Sequence, residues 1–212
     1  MPEPRKTPRF SILALVFAAC LGAPAAAQDR AGDFDYYVLS LSWQPAWCAE
    51  EGETDGACRT GGAVGFTMHG LWPQHERGWP SDCRTDARDP SRSQTRAMAD
   101  IMGSPGLAWH EWKKHGRCSG LSAEDYFALS RKAWERVAMP AVFDKVTRAL
   151  RVKPRAIEAA NRDLRPDAIT IKCRGGRITE VRICMDRDLE FRICSPEVRR
   201  ECDASSRLDP LR

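Results

Sequence analysis

Four histidines occur in the 212-residue chain, and two of them stand in one nine-residue stretch, HEWKKHGRC at 110–118. On a helix, residues 110, 111, 114 and 115 are spaced i, i+1, i+4 and i+5 and fall on one arc of about 140°. His110, Glu111, Lys114 and His115 would then surround one ligand. Trp109 and Trp112 lie on the opposite side, which predicts that both tryptophans face inward. A third histidine, His69, stands in FTMHGLWPQ (66–74). It follows a short apolar strand, with Gly70 expected to permit a tight turn and Trp72-Pro73 to form a rigid aromatic corner. His75, one residue beyond, reads as an exposed loop histidine.

Histidine titrates near neutral pH, so one imidazole can take a proton while another gives one. Two imidazoles with a lysine and a carboxylate suit attack at a phosphate. In RNA, a base removes the ribose 2′-OH proton, an acid protonates the departing 5′-oxygen, and a cation such as Lys114 offsets charge growing on the phosphoryl oxygens. That chemistry calls for no metal or other cofactor. A zinc site is the rival reading, but zinc-binding helices space two histidines as H-E-x-x-H. Here the order is H-E-x-x-x-H with Lys114 at the i+4 position, and an ammonium is not a ligand.

The elements that must hold these groups can be read from hydrophobic period. Residues 34–43, FDYYVLSLSW, alternate Tyr37, Leu39, Leu41 and Trp43 on one face against Ser40 and Ser42 on the other, as a strand does. Pro45 is expected to end it, and 50–62 to form an acidic, glycine-rich loop. Val64 to Met68 reads as a second strand and Gln74 to Pro90 as an irregular surface loop. Helices are expected over Ser93–Met102, stopping at Gly103, and over Leu107–His115, with Gly116 as C-cap. Ser122-Ala-Glu-Asp125 resembles a capping box and opens a third. Pro140 starts a further helical segment, and Lys153–Leu164 reads as another. Strands return at Ala168–Cys173 and Glu180–Cys184 around a Gly175-Gly176 turn, and the tail after Cys202 reads as polar and frayed. Strands, then helices, then strands predict an α+β fold.

The first 27 residues read as a cleaved leader. A basic start (Arg5, Lys6, Arg9), an apolar run from Phe10 to Leu21 and Ala25-Ala26-Ala27 match a secretory signal. The apolar run is too short to span a bilayer. Processing at Cys20 as a lipoprotein ranks below simple cleavage. Residues 28–212 then form one domain, and net charge falls from +4 to +2, because the leader carries three positive charges and one negative. That balance excludes a bulk polycation. Eight cysteines remain (48, 58, 83, 118, 173, 184, 194, 202), an even number that in an exported chain implies disulfides in one of 105 pairings. C-x-x-C is absent, which counts against redox catalysis and zinc ribbons.

HGLWPQ (69–74) together with HEWKKHGRC (110–118) resembles the two active-site segments of the ribonuclease T2 family. YYVLSLSWQPAWC (36–48) is similar to the family's first strand and EVRICMDRDLEFRIC (180–194) to its final one. The resemblance implies an α+β domain with a central antiparallel sheet, several packed helices and disulfide staples. It implies His69 and His115 as the acid–base pair, His115 being the base of the transfer step, with Glu111 and Lys114 stabilising the transition state. His110 would bind phosphate, and Trp72 and Gln74 the base. It suggests Cys83–Cys118 and the nested pairs Cys173–Cys202 and Cys184–Cys194, which leaves Cys48 with Cys58. Arg117 stands where the family more often has a small hydroxyl residue, and is expected to add an RNA-facing charge. The implied activity is metal-independent cleavage of single-stranded RNA, with low base specificity, through 2′,3′-cyclic phosphates to 3′-phosphates. DNA would be spared, and the enzyme would be a periplasmic or secreted monomer, off the membrane once its leader is removed. The alternative is a secreted RNA-binding protein of the same fold that has lost catalysis.

Overall fold

The structure is a computed structural model that describes residues 29–51, 58, 65–137, 139–161, 164–199, 202 and 205–211. The leader, Cys20, Val64 and most of the expected 50–62 loop lie outside the described residues.

The first strand, β1 (Tyr36–Trp43), forms as its alternation predicts, but both faces are covered. Tyr37, Leu39, Leu41 and Trp43 enter the main core, while Tyr36 and Val38 join a smaller cluster with Trp72, Cys184, Cys194 and Val198. Ser40 is also fully buried. The chain continues into helix α1 (Gln44–Glu51) where a strand end and a loop were expected. Pro45 lies in its first turn, where a missing N–H costs nothing.

The second strand, β2 (Phe66–Gln74), runs through His69 and Gly70 without the expected turn. It pairs antiparallel with β1, and the register slips so that Ser40 faces Gly70 while Leu41 faces Met68. His69 is therefore the extra residue of a β-bulge. The bulge explains how Met68 and Leu71, three apart, both reach the core, which a period of two forbids. Among the described residues β2 is an edge strand, and Pro73 is tolerated there.

The helical region follows its capping signals. α2 (Arg92–Ala97) starts at Ser91, which forms a reciprocal capping box with Gln94. A break at Met98 separates it from α3 (Ala99–Met102), which ends at Gly103 in the left-handed region. α4 (Pro105–Lys114) is capped by Ser104, whose side chain accepts from the Leu107 N–H. Its C-cap is His115, and a 3-10 turn, Gly116–Ser119, follows. Gly116 is not the left-handed cap that was expected. A Cβ there would sit 2.7 Å from Trp112 and 2.8 Å from Tyr126, so close ring packing fixes the residue. Only Trp112 is buried. Trp109 is 42% exposed under Lys113, because a narrow helix stripe admits one of the two. α5 (Ala123–Glu135) starts at Ser122, which accepts from the Asp125 N–H and donates to its carboxylate.

After a 3-10 turn at Phe143–Lys145 come β3 (Leu150–Val152), α6 (Pro154–Ala160), β4 (Ile169–Arg174) and β5 (Arg177–Met185). The last two form a hairpin on Gly175-Gly176, both at positive φ. Residues 205–211 of the tail pack onto the sheet where fraying was expected: β6 (Ser206–Leu208) pairs with β3 and touches β5. Its Asp209 is buried between Arg177 and Arg207, so a polar segment packs by internal charge pairing. The path is β2-β1-β5-β6-β3 with β4 on β5. The architecture is α+β as expected, with one correction: β6 meets β5 in parallel, so the sheet is mixed. The four disulfides are Cys48–Cys58, Cys83–Cys118, Cys173–Cys202 and Cys184–Cys194. Among the described residues no helix is long and apolar enough to cross a membrane.

Candidate active site

β2 and α4 bring the two histidine segments together. A cavity of about 270 Å³ is lined by His69, Trp72, Gln74, Trp79, His110, Glu111, Lys114, His115, Arg182, Glu197 and Val198. All seven residues singled out from the sequence line it. The helical arc is graded in depth. Glu111 and His115 are 1% and 6% exposed, while His110 and Lys114 stand exposed at the rim. Behind the arc the Trp112 indole donates to Asp89, the Lys114 carbonyl accepts from the Asp82 N–H, and Cys83–Cys118 ties the loop to the helix end.

Trp72 is the hinge of the arrangement. Its Nε1 donates to Glu111 Oε2 at 2.6 Å. Its ring lies 5.2 Å from the His69 ring and 5.1 Å from the His115 ring, with the Arg182 guanidinium 5.0 Å above it. The platform expected of Trp72 is thus enclosed, at 9% exposure, by the groups it organises. The exposed indole of the cavity is Trp79, at 58%, on a loop tied down where Glu197 accepts from the Gly78 N–H. Gly70 makes the Trp72–Glu111 bond possible: a Cβ at 70 would fall 2.1 Å from Glu111 Oε2 and 2.5 Å from Trp72 Nε1. The glycine serves close approach and not a turn.

The surroundings displace the two imidazole pKa values in opposite directions. Burial lowers the His115 pKa to about 3, helped by Lys114, His69, His110 and Arg182. A helix C-terminus favours a cation, but here desolvation and the neighbouring Lys114 and Arg182 charges prevail. Burial also pulls His69 down, yet the hydrogen bond to Glu180 and the charges of Glu111 and Glu180 outweigh it, and the pKa is raised. His69 Nδ1 is 3.1 Å from Glu180 Oε1, and Nε2 is 3.6 Å from Glu111 Oε1. Burial raises the Glu111 pKa despite His69, Trp72 and Lys114. Glu180 is buried too, but His69, Arg182 and Ser40 bring its pKa down to about 2.

Sequence reading missed Ser40, Glu180, Arg182 and Trp79. Glu180 and Arg182 alternate with Val181 and Ile183, and charges on the second face of a strand buried on both sides were the available signal. Trp79 stood out as a tryptophan in a polar loop. Arg117 is corrected: it pairs with Asp89 at 2.8 Å and does not line the cavity. His75 lies 3.8 Å from Asp35 in the loop beside β2.

The Ribonuclease T2 family model matches residues 34–195, which include both histidine segments and β5. The chain belongs to the ribonuclease T2 family. A ribonuclease from Aeromonas hydrophila is 32% identical over 196 residues, 89% of each chain. The self-incompatibility associated SF11-RNase of Nicotiana alata shares the fold at TM-score 0.65 and 19% identity, covering 85% of this chain and all of that one. An RNase-related protein from Calystegia sepium does so at 0.62 and 21%, covering 84% and 98%. Membership supports an endoribonuclease and the α+β fold expected for it.

Proposed function

We propose that this T2 ribonuclease cleaves single-stranded RNA in two steps on one pair of imidazoles, without a metal ion. His115, neutral down to about pH 3, takes the proton from the ribose 2′-OH. The 2′-oxygen attacks phosphorus, and His69, whose protonated form is favoured by Glu180 and Glu111, gives its proton to the 5′-oxygen as the P–O5′ bond breaks. A 2′,3′-cyclic phosphate results. In the second step water donates its proton to the now neutral His69 and attacks phosphorus. The 2′-oxygen leaves with the proton from His115, giving a 3′-phosphate.

Lys114 and His110, at the rim, meet the phosphoryl oxygens as charge grows on them. Glu111, held by the Trp72 indole, lies 3.6 Å from His69 Nε2 and stabilises the transition state by offsetting the positive charge of the donor. Trp79 offers its free face to a base, and Gln74 lines the same cavity. Stacking on an indole tolerates any base, which fits low base specificity. The observation that carries the reading is the meeting of His69 from β2 and His115 from the end of α4 in one cavity, with Lys114 and His110 lining it beside them. The leader-like first 27 residues and the disulfides favour export as a single 28–212 domain to the periplasm or medium, acting as a monomer.

The test is a short RNA and the deoxyribose oligomer of the same sequence, each incubated in excess chelator, with mass analysis of the ends. Expected are cyclic phosphates that convert to 3′-phosphates, intact DNA, and a loss of at least ~10²-fold in His115→Ala. Cleaved DNA, 5′-phosphate ends or silence in chelator overturns the mechanism. RNA bound but left whole identifies a binding protein.

A further inference from the structure

We infer that Glu180 of β5 is a positioning residue that fixes His69 as the proton donor, with Ser40 and Arg182 holding the carboxylate in place. The inference rests on the reading of His69 as the acid and adds to it a part drawn from a third strand. The register places site-facing residues of three strands side by side: Gly70 on β2, Ser40 on β1 and Arg182 on β5 form one row, with Glu180 opposite Ser42 in the next. Glu180 is 8% exposed. Its Oε1 accepts from the Ser40 hydroxyl at 2.6 Å and faces His69 Nδ1 at 3.1 Å. Its Oε2 accepts from Arg182 Nε at 2.6 Å.

A carboxylate with donors on both oxygens can only accept. The proton between it and the imidazole therefore belongs to His69 Nδ1. That sets the tautomer: Nε2 is left for the cavity, and is the nitrogen that carries the transferable proton when the ring is charged. Each ring nitrogen thus faces its own carboxylate, Glu180 behind and Glu111 in front. The two are not equivalent. Glu180 stays ionised to about pH 2, while burial pushes Glu111 up. Glu180 supplies a fixed negative charge that keeps His69 protonated, and Glu111 is the partner near the reacting oxygen. The titratable and charged groups around His69 are Glu180 and Arg182 from β5, Glu111 from α4 and His115 at its C-cap, with His110 and Lys114 across the cavity. Of these only the two glutamates favour its charged form.

The experiment uses the protein labelled with 15N-histidine, as wild type, Glu180→Gln and Arg182→Gln. His69 is titrated by NMR without RNA, and cleavage is then followed against pH. In Glu180→Gln the His69 midpoint should fall by about one pH unit or more, as expected on losing an opposite charge at this range. The Nδ1–H tautomer should lose its dominance, and the alkaline limb of kcat should move down in step. In Arg182→Gln midpoint and limb should both rise, so the proposal stays testable should the first variant fail to fold. A structural role alone would lower the melting temperature or the rate without moving either limb.

An unmoved midpoint and tautomer in folded Glu180→Gln overturns the inference, as does an Arg182→Gln midpoint that fails to rise. A midpoint that moves while the cleavage limb stays still overturns it too, because the ring under Glu180's control would not be the donor. The RNA-free titration decides the Glu180–His69 link even for an inactive protein. Failure of the ribonuclease reading shows separately, as wild type that leaves RNA intact.

Discussion

Replacing Gly70 by alanine sets two effects of opposite sign against each other. Gly70 does not have positive φ, so alanine fits its backbone and should gain roughly 0.4–1 kcal/mol through the unfolded chain. The contacts argue the other way. A new Cβ at 2.1 Å from Glu111 Oε2 and 2.5 Å from Trp72 Nε1 cannot coexist with the 2.6 Å bond between those atoms. Losing a hydrogen bond to a buried charged group costs about 1.5–3 kcal/mol, and shifting packed neighbours adds about 1–3. The net expectation is a loss of about 2–5 kcal/mol, or a melting point lower by roughly 5–15 °C at the scale set by a domain of this size. Activity should fall with it, because Glu111 is displaced. Gly106→Ala is the control. It sits in the first turn of α4, where an added Cβ meets only Ser104 Oγ at 3.9 Å, and it should gain up to about 1 kcal/mol. Thermal melts by circular dichroism and kcat on a dinucleotide read both. A Gly70→Ala protein that melts at or above wild type would refute the close-approach argument.

Trp79→Ala should raise KM for RNA far more than it lowers kcat, by about 5- to 150-fold for a stacking interaction of ~1–3 kcal/mol; equal losses in both would remove it from base binding. Acid should destabilise the fold in two windows, followed as melting temperature against pH. The unfolded chain protonates His115 near 6.5 but the folded one only near 3, so stability drains as the pH falls between them, and Glu180 repeats this from about 4.3 to about 2. His69 works in reverse and loses its contribution as the pH rises through its raised value. A melting temperature unchanged from pH 7 to 4 would contradict the buried neutral imidazole. Removing Cys83–Cys118 with two serines should cost about 3–4 kcal/mol for its 35-residue separation, more than Cys48–Cys58 at 10; a reversed order of melting temperatures would refute the chain-entropy account.

The polar arc of α4 was legible because a helix converts spacing into direction, so residues 110, 111, 114 and 115 had to share a side. Spacing could not rank Trp109 against Trp112, which stand on neighbouring lines of one stripe; tertiary packing chose Trp112. The alternation of β1 was legible, but not that its second face is covered, because Ser40 and Ser42 read as solvent-facing until β5 and the Val198 segment are placed. Glu180 is 111 residues from His69, and no local pattern encodes so distant a contact. The bulge stayed hidden because a strand reading assumes an unbroken period of two, and Met68 and Leu71 violate it. The packing of residues 205–211 stayed hidden because Asp209 finds its arginines only in the folded sheet.

That slip between β1 and β2 makes the number of residues in the strand part of the site. Alanine at position 69 would silence the chemistry and leave the pairing as it is. Deleting the position would restore even step with β1 and leave Met68 and Leu71 two apart, both still facing the core, so the bulge and the imidazole would vanish together. A lineage descending from such a chain can therefore lose its reaction by exchanging that codon or by dropping it, and keep its shape either way.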